Sequence, residues 1–191
     1  MHKFHNLIKF ILIIMLTLLT SSCNLQQEEV IQQVVAKVVD QKQLKCLAEN
    51  IYFEAGREST EGKAAVARVV MNRINYGFAT TPCKVVYQTT SIKQVTDYDE
   101  SFWVKVCQFS WVCEGKSTPN KNTTSYQNSL QVAYDVLAYD RYKEVIPQTV
   151  LFFHNKTVEN PWPHKVEKVI GNHIFYSKAH KKKHVHKHKP G

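Results

Sequence analysis

Four cysteines limit the fold most strongly, because they follow a leader typical of exported chains. Residues 1–22 have a basic start and then an uncharged, mostly apolar run that ends in small residues, the pattern of a signal peptide. Export places the chain in an oxidising compartment, where an even number of cysteines favours disulfides. The preferred pairing is Cys46 with Cys83 and Cys107 with Cys113, and the other two pairings stay open. The spacing contains no CxxC pair and does not suit structural zinc, so neither a metal nor a cofactor is expected.

A fifth cysteine, Cys23, comes directly after the leader. The run Leu-Thr-Ser-Ser-Cys over residues 19–23 resembles a bacterial lipobox, in which the cysteine is diacylated and becomes the new N-terminus. The sequence therefore predicts a lipoprotein on the periplasmic face of the cell envelope, anchored in a membrane through Cys23. Ordinary cleavage at the nearby small residues is the alternative, and it would leave Cys23 as a spare thiol.

Charge is concentrated at the two ends of the chain. Of the nine net positive charges, two come from lysines in the leader and six from lysines in residues 178–191, so the remainder is nearly neutral. The His/Lys-rich run 178–191 cannot bury a core and is expected to be a disordered cationic arm. Its expected partner is an anionic polymer or lipid headgroups. Export makes nucleic acid the least favoured partner.

The middle of the chain predicts one domain. Residues 23–42 are Gln-rich and are interpreted as a tether, and residues 43–177 form the domain. Apolar residues at helical spacing predict a first helix from Gln43 to Gly56, a buried second helix after Ser59 or Thr60, and a third helix from Tyr126 to Ala138.

Short strands are predicted nearer the C-terminus. Residues 149–153 and 168–176 are rich in β-branched and aromatic residues, which favours strands. Residues 89–122 show turn formers but no sustained period, and we interpret them as a long, partly ordered loop region. The expected fold class is α+β, mainly α-helical, with a small antiparallel sheet.

Acidic residues near the end of the first helix are the strongest candidates for chemistry. Glu54 can flank the apolar face of that helix while it stands at the helix's C-terminal end. Burial beside aromatic residues and the negative end of the helix dipole would raise its pKa and keep it protonated for general acid catalysis. Pairing with Arg57 would oppose that effect. From spacing alone, solvated helix charges are the favoured explanation.

Four sequence blocks in order resemble the SleB-type family of spore-cortex-lytic and cell wall hydrolases. The first block is Leu47 to Glu58, followed by Glu61-Gly62, Ala64 to Ala67 and Asn72-Arg73. The others are Pro82 to Gln88, Cys107 to Trp111, and Leu151 to Asn155 with Pro161-Trp162. One departure is visible, because the family's Glu-Ala-Arg-Gly-Glu reads here with Gly56 and Arg57 exchanged.

The resemblance implies a fold similar to lysozymes and lytic transglycosylases, with peptidoglycan as the partner. It also implies that Glu54 protonates the glycosidic oxygen between N-acetylmuramic acid and N-acetylglucosamine. A lytic transglycosylase needs no second carboxylate, whereas a lysozyme uses one. The sequence leaves four candidates for such a second acid: Glu58, Asp97, Asp99 and Glu100.

The remaining blocks supply candidate substrate-binding residues. Gln108 and Ser110 are expected to hold sugar hydroxyl or acetamido groups, and Trp111 either stacks on a sugar ring or fills the core. Tyr87, Asn155 and Trp162 are weaker candidates, since each can also close a turn or pack.

Two other classes of function stay open. An N-acetylmuramoyl-L-alanine amidase is one alternative, although the domain lacks the paired histidines of an HExxH zinc site. A non-catalytic peptidoglycan-binding lipoprotein is the other.

Overall fold

The computed structural model describes residues 14–15, 38–96, 98–116, 118–159 and 163–178. The signal peptide, Cys23, most of the tether, Pro161-Trp162 and nearly all of the basic arm lie outside these ranges. Contacts divide the chain into residues 1–38 and 39–191, and the description below concerns the second unit. Within the described residues, no helix has the length and apolar character needed to span a bilayer.

Three long helices form the core, as the sequence predicted. They are α1 (Gln41–Ala55), α2 (Thr60–Asn75) and α5 (Thr124–Tyr139), and two short helices, α3 (Pro82–Val86) and α4 (Ser110–Cys113), lie between them. Each long helix begins with a side-chain cap, from Asp40, Ser59 and Thr123 respectively, that accepts hydrogen bonds from backbone N–H groups of the first turn.

The helices pack through their apolar faces. Helix α1 contacts both α5 and α2, and α2 contacts α5. The predicted burial of α2 is confirmed, since almost all of its apolar side chains are buried. The residues of α1 that face the core follow helical spacing: Leu44, Leu47, Ala48, Ile51 and Ala55.

A three-stranded antiparallel sheet closes the C-terminal part. Its strands are β3 (Val150–Asn155), β4 (Lys165–Ile170) and β5 (His173–Ser177), in the order β3-β5-β4. The predicted strand at 149–153 is therefore confirmed, and the run 168–176 is the end of β4, a turn and most of β5. The α+β class with a helix-dominated core is confirmed.

The prediction of a loop region over residues 89–122 was wrong. Residues 89–107 form an antiparallel hairpin of β1 (Thr89–Val95) and β2 (Ser101–Cys107), and α4 follows it. These strands left no alternating pattern in the sequence because nearly every side chain in both of them is exposed. Without one buried face, apolar and polar residues need not alternate.

Two disulfides hold the surface elements to the core. Cys46–Cys83 joins α1 to α3, and Cys107–Cys113 joins the end of β2 to the end of α4. This is the preferred pairing.

Candidate active site

Glu54 lies on the last turn of α1, partly buried. Burial raises the pKa of its carboxyl from 4.5 to about 7. Three charged neighbours also act on this pKa: Lys116 lowers it, Glu114 raises it and Arg73 lowers it. Arg57 is exposed and is not among these charges. The two cations that lower the pKa of Glu54, Lys116 and Arg73, come from other elements.

Glu54 opens onto a cleft of about 650 Å³ between the end of α1 and the three-stranded sheet. Its walls come from residues 52–58, from the start of α5 at Thr123 and Ser125, and from Asn155, Asn172 and His173. Burial lowers the pKa of His173 below 6.5, which leaves its ring neutral at neutral pH. The cleft therefore places a carboxyl with a raised pKa beside polar and charged groups.

The loop between α1 and α2 is tied down directly behind Glu54. The buried Lys63 ammonium donates to the carbonyl oxygens of Gly56 and Glu58. The Ser125 hydroxyl also donates to the Gly56 carbonyl, at 2.7 Å. These donors satisfy the carbonyl of Gly56, the C-cap residue of α1, and the carbonyl of Glu58 in the loop that follows. They also fix the backbone that carries Glu54.

Glu58 lines the same cleft and is held by the β4–β5 turn. Its carboxylate oxygens accept from the Asn172 side-chain amide at 2.9 Å and from the Asn172 backbone N–H at 3.3 Å. Gly171 makes this approach possible. Its φ is +54°, and a Cβ there would lie 1.8 Å from a Glu58 carboxylate oxygen.

Arg73 is a functional candidate to which the sequence alone assigned no role in the site. Its Nε donates to the Leu151 carbonyl at 2.8 Å, and its guanidinium lies 4.9 Å from the centre of the Phe109 ring. With its amide oxygen facing Arg73, Gln108 accepts from both terminal nitrogens at 3.2 and 3.3 Å. The available signal was a cation among the apolar residues of α2, because a buried charge needs a partner, although Lys63 and Arg68 on the same helix give the same signal.

The segment after α4 brings two opposite charges to Glu54. Glu114 and Lys116 form an ion pair at 3.0 Å. The Ser110 hydroxyl and Lys116 hydrogen-bond to Glu114 and lower its pKa. Ser110 is exposed. It acts on Glu54 indirectly, because it hydrogen-bonds to Glu114, whose charge raises the pKa of Glu54.

Trp111 lies in the core. Its indole N–H donates to Asn50 Oδ1 at 3.0 Å, its ring stacks on Phe53 at 4.5 Å, and Tyr87 packs against it at 5.8 Å. Of the two roles weighed from the sequence, this placement favours packing. Because Phe53 precedes Glu54, Trp111 supports the last turn of α1.

The other predicted site residues are more exposed. Tyr87 donates to a Glu49 carboxylate oxygen at 3.2 Å. Asn155 ends β3 on the cleft wall, where its side-chain oxygen accepts from the Thr157 backbone N–H and hydroxyl. Asp99 and Glu100 lie at the exposed turn of the β1–β2 hairpin, and Asp97 and Trp162 are outside the described residues.

Comparisons with known proteins found a family match and a similar solved structure. The sequence matches the model of the family described as Cell Wall Hydrolase over residues 57–176, which is more than half of the chain. The protein therefore belongs to the cell wall hydrolase family. The match begins three residues after Glu54.

A solved structure described as the catalytic domain of the Bacillus cereus SleB protein resembles this chain. The two are 19% identical, the alignment covers 73% of this chain and 93% of that chain, and the TM-score is 0.48. A search among proteins of curated function found no match.

Proposed function

We propose that this enzyme cuts the glycan strand of peptidoglycan between N-acetylmuramic acid and N-acetylglucosamine, as a lytic transglycosylase with Glu54 as its only catalytic carboxyl. One observation carries the proposal: the pKa of Glu54 is raised to about 7 at the wall of an open cleft. A carboxyl with this pKa can donate a proton at neutral pH, and its conjugate base can accept one.

In the proposed reaction the Glu54 carboxyl donates its proton to the glycosidic oxygen, and the bond from that oxygen to muramyl C1 breaks. The muramyl 6-hydroxyl then attacks C1, and the Glu54 carboxylate accepts the proton that this hydroxyl loses. The products are a 1,6-anhydromuramyl end and a free 4-hydroxyl on N-acetylglucosamine. Glu54 finishes protonated, so the cycle needs no water and no second acid.

The contacts of Glu58 support a single catalytic carboxyl. Both of its oxygens accept hydrogen bonds from Asn172, which gives Glu58 a role in joining the α1–α2 loop to the sheet. A hydrolytic enzyme needs a second carboxylate placed to attack C1 or to activate water. Among the described residues lining the cleft, Glu58 is the one other carboxylate, so it is the candidate if water is the nucleophile.

We propose that Arg73 and Gln108 support Glu54 in the active site. Arg73 places a positive charge near the carboxylate that forms after proton donation, and Gln108 and the Leu151 carbonyl hold Arg73 in place. Ser110, Asn155 and Tyr87 remain proposed contacts to sugar groups. For Trp111 we propose that it positions Phe53 and Glu54.

Delivery to the wall is proposed from the ends of the chain. The leader 1–22 would export the enzyme, and a lipid on Cys23 would anchor it to a membrane. Residues 23–42 would hold the domain 43–177 away from that membrane. The arm 178–191 would bind anionic polymers or lipid headgroups.

Mass spectrometry of fragments released from isolated peptidoglycan tests the proposed reaction. We expect fragments that end in 1,6-anhydromuramic acid, because the 6-hydroxyl replaces water as the nucleophile. Reducing muramic acid ends would contradict transglycosylation and direct attention to Glu58. Free stem peptides would indicate an amidase, and release of nothing would indicate a wall-binding protein.

A further inference from the structure

The β1–β2 hairpin presents an unusual concentration of exposed aromatic side chains. Trp103 is 70% exposed, Tyr98 is 88% exposed and Phe102 is 49% exposed. We call residues 89–107 the aromatic arm. Large aromatic side chains normally bury most of their surface, so their exposure on one short hairpin makes it a candidate interaction site.

The strand register places cations beside Trp103. Trp103 is directly opposite Lys93, and residues directly opposite in an antiparallel pair project from the same face. Lys105 lies two residues along β2 from Trp103 and so projects from that face as well. The face therefore presents an aromatic ring between two ammonium groups.

The base of the aromatic arm is attached to the candidate active site. The Gln108 backbone N–H donates to the Gln88 carbonyl at 2.9 Å, which closes the base of the hairpin. The Gln108 side chain reaches Arg73. The Cys107–Cys113 disulfide then ties the end of β2 to α4, directly before Glu114, whose charge acts on Glu54.

A second cavity lies where the aromatic arm meets the domain. Its volume is about 410 Å³, and its lining includes Phe78, Thr90, Val106 and Gln108. Gln108 thus borders this cavity and contacts Arg73 beside Glu54. Gln108 therefore connects the wall of this cavity to Arg73, whose charge acts on Glu54.

We propose that the aromatic arm is a second binding site for peptidoglycan, outside the catalytic cleft. A sugar ring stacks on Trp103, and the ammonium groups of Lys93 and Lys105 pair with carboxylates of the stem peptides. Peptidoglycan carries both groups at short intervals, which matches an aromatic ring flanked by cations. The inference rests on peptidoglycan as substrate and names a surface that holds it during cleavage.

Binding to isolated peptidoglycan in a Glu54→Gln background tests the aromatic arm without degrading the ligand. Adding Trp103→Ala is expected to weaken binding of the full chain about 3- to 10-fold, since an aromatic contact contributes on the order of 0.5–1.5 kcal/mol beyond its buried area. Trp103→Phe should retain most of the affinity. Tyr139→Ala removes an exposed aromatic ring from the end of α5, distant in sequence from the arm, and should leave binding unchanged.

The dependence of binding on salt tests the role of the two lysines, Lys93 and Lys105. Lys93→Gln with Lys105→Gln should weaken binding at low salt and reduce its dependence on salt, because exposed ion pairs are screened. Unchanged binding to peptidoglycan for Trp103→Ala would overturn the proposal. If that variant also lost flotation with vesicles of phosphatidylglycerol and phosphatidylethanolamine, the arm would be a lipid-binding surface instead. Fragment analysis with the wild-type enzyme tests the proposed reaction, and its result does not depend on these binding measurements.

Discussion

Replacing Glu54 with glutamine is expected to lower the rate of fragment release from peptidoglycan roughly 10²- to 10⁴-fold, the usual contribution of a general acid. Glutamine keeps the size of the side chain and its place on the last turn of α1, but its amide cannot protonate the glycosidic oxygen. Release of soluble fragments over time, measured at saturating peptidoglycan, gives the ratio of the two rates.

A matched variant separates chemistry from loss of charge. Glu61→Gln removes a carboxylate whose ion pair with Lys168 lies at the surface, and its rate should stay within about twofold of wild type because exposed pairs contribute little.

Glu54→Gln should be no less stable than wild type at neutral pH. Burial raises the pKa of Glu54 from 4.5 to about 7 in the folded state, so wild-type stability falls as the pH rises from about 4.5 to about 7. In that window the unfolded chain releases this proton and the folded chain still holds it. A Glu54→Gln enzyme with more than a tenth of the wild-type rate would contradict the assigned role.

Removing the Cys46–Cys83 disulfide is expected to cost more stability than removing Cys107–Cys113. The two bonds span 37 and 6 residues. Loop-closure entropy then predicts losses of roughly 4 and roughly 2 kcal/mol in the free energy of unfolding. The longer bond also holds α3 against α1, the helix that carries Glu54.

Urea unfolding of the two double-serine variants, followed by circular dichroism, measures this difference. The variant that lacks Cys46 and Cys83 should unfold at the lower urea concentration. The reverse order would show that the Cys107–Cys113 bond restrains more of the fold than its short loop implies.

Local patterns in the sequence were enough to predict the helical core. Leu44, Leu47, Ile51 and Ala55 recur at helical spacing, and each is buried. The apolar run of α2 likewise predicted a helix with no solvent face. Glu54 was proposed because the family resemblance was added to its position on the helix, since spacing alone favoured solvated helix charges.

The parts that were missed depend on contacts between distant residues. Glu58 and Asn172 are 114 positions apart, and only the folded turn at Gly171 brings them together. Arg73 reaches Leu151 and Gln108 across two further elements, so its partners could not be inferred from α2 alone. The aromatic arm gave no strand pattern because neither of its faces is buried.

The pH dependence of kcat/KM for wild-type enzyme on peptidoglycan tests the role of Glu54 most directly. This parameter reports the ionisation of the free enzyme, in which the pKa of Glu54 is about 7. The proton must be present for the bond to break, so kcat/KM should be highest below pH 7 and fall about tenfold per pH unit above it. A rate that rises through pH 7, or one that stays level to pH 9, would contradict a protonated Glu54 as the catalytic acid.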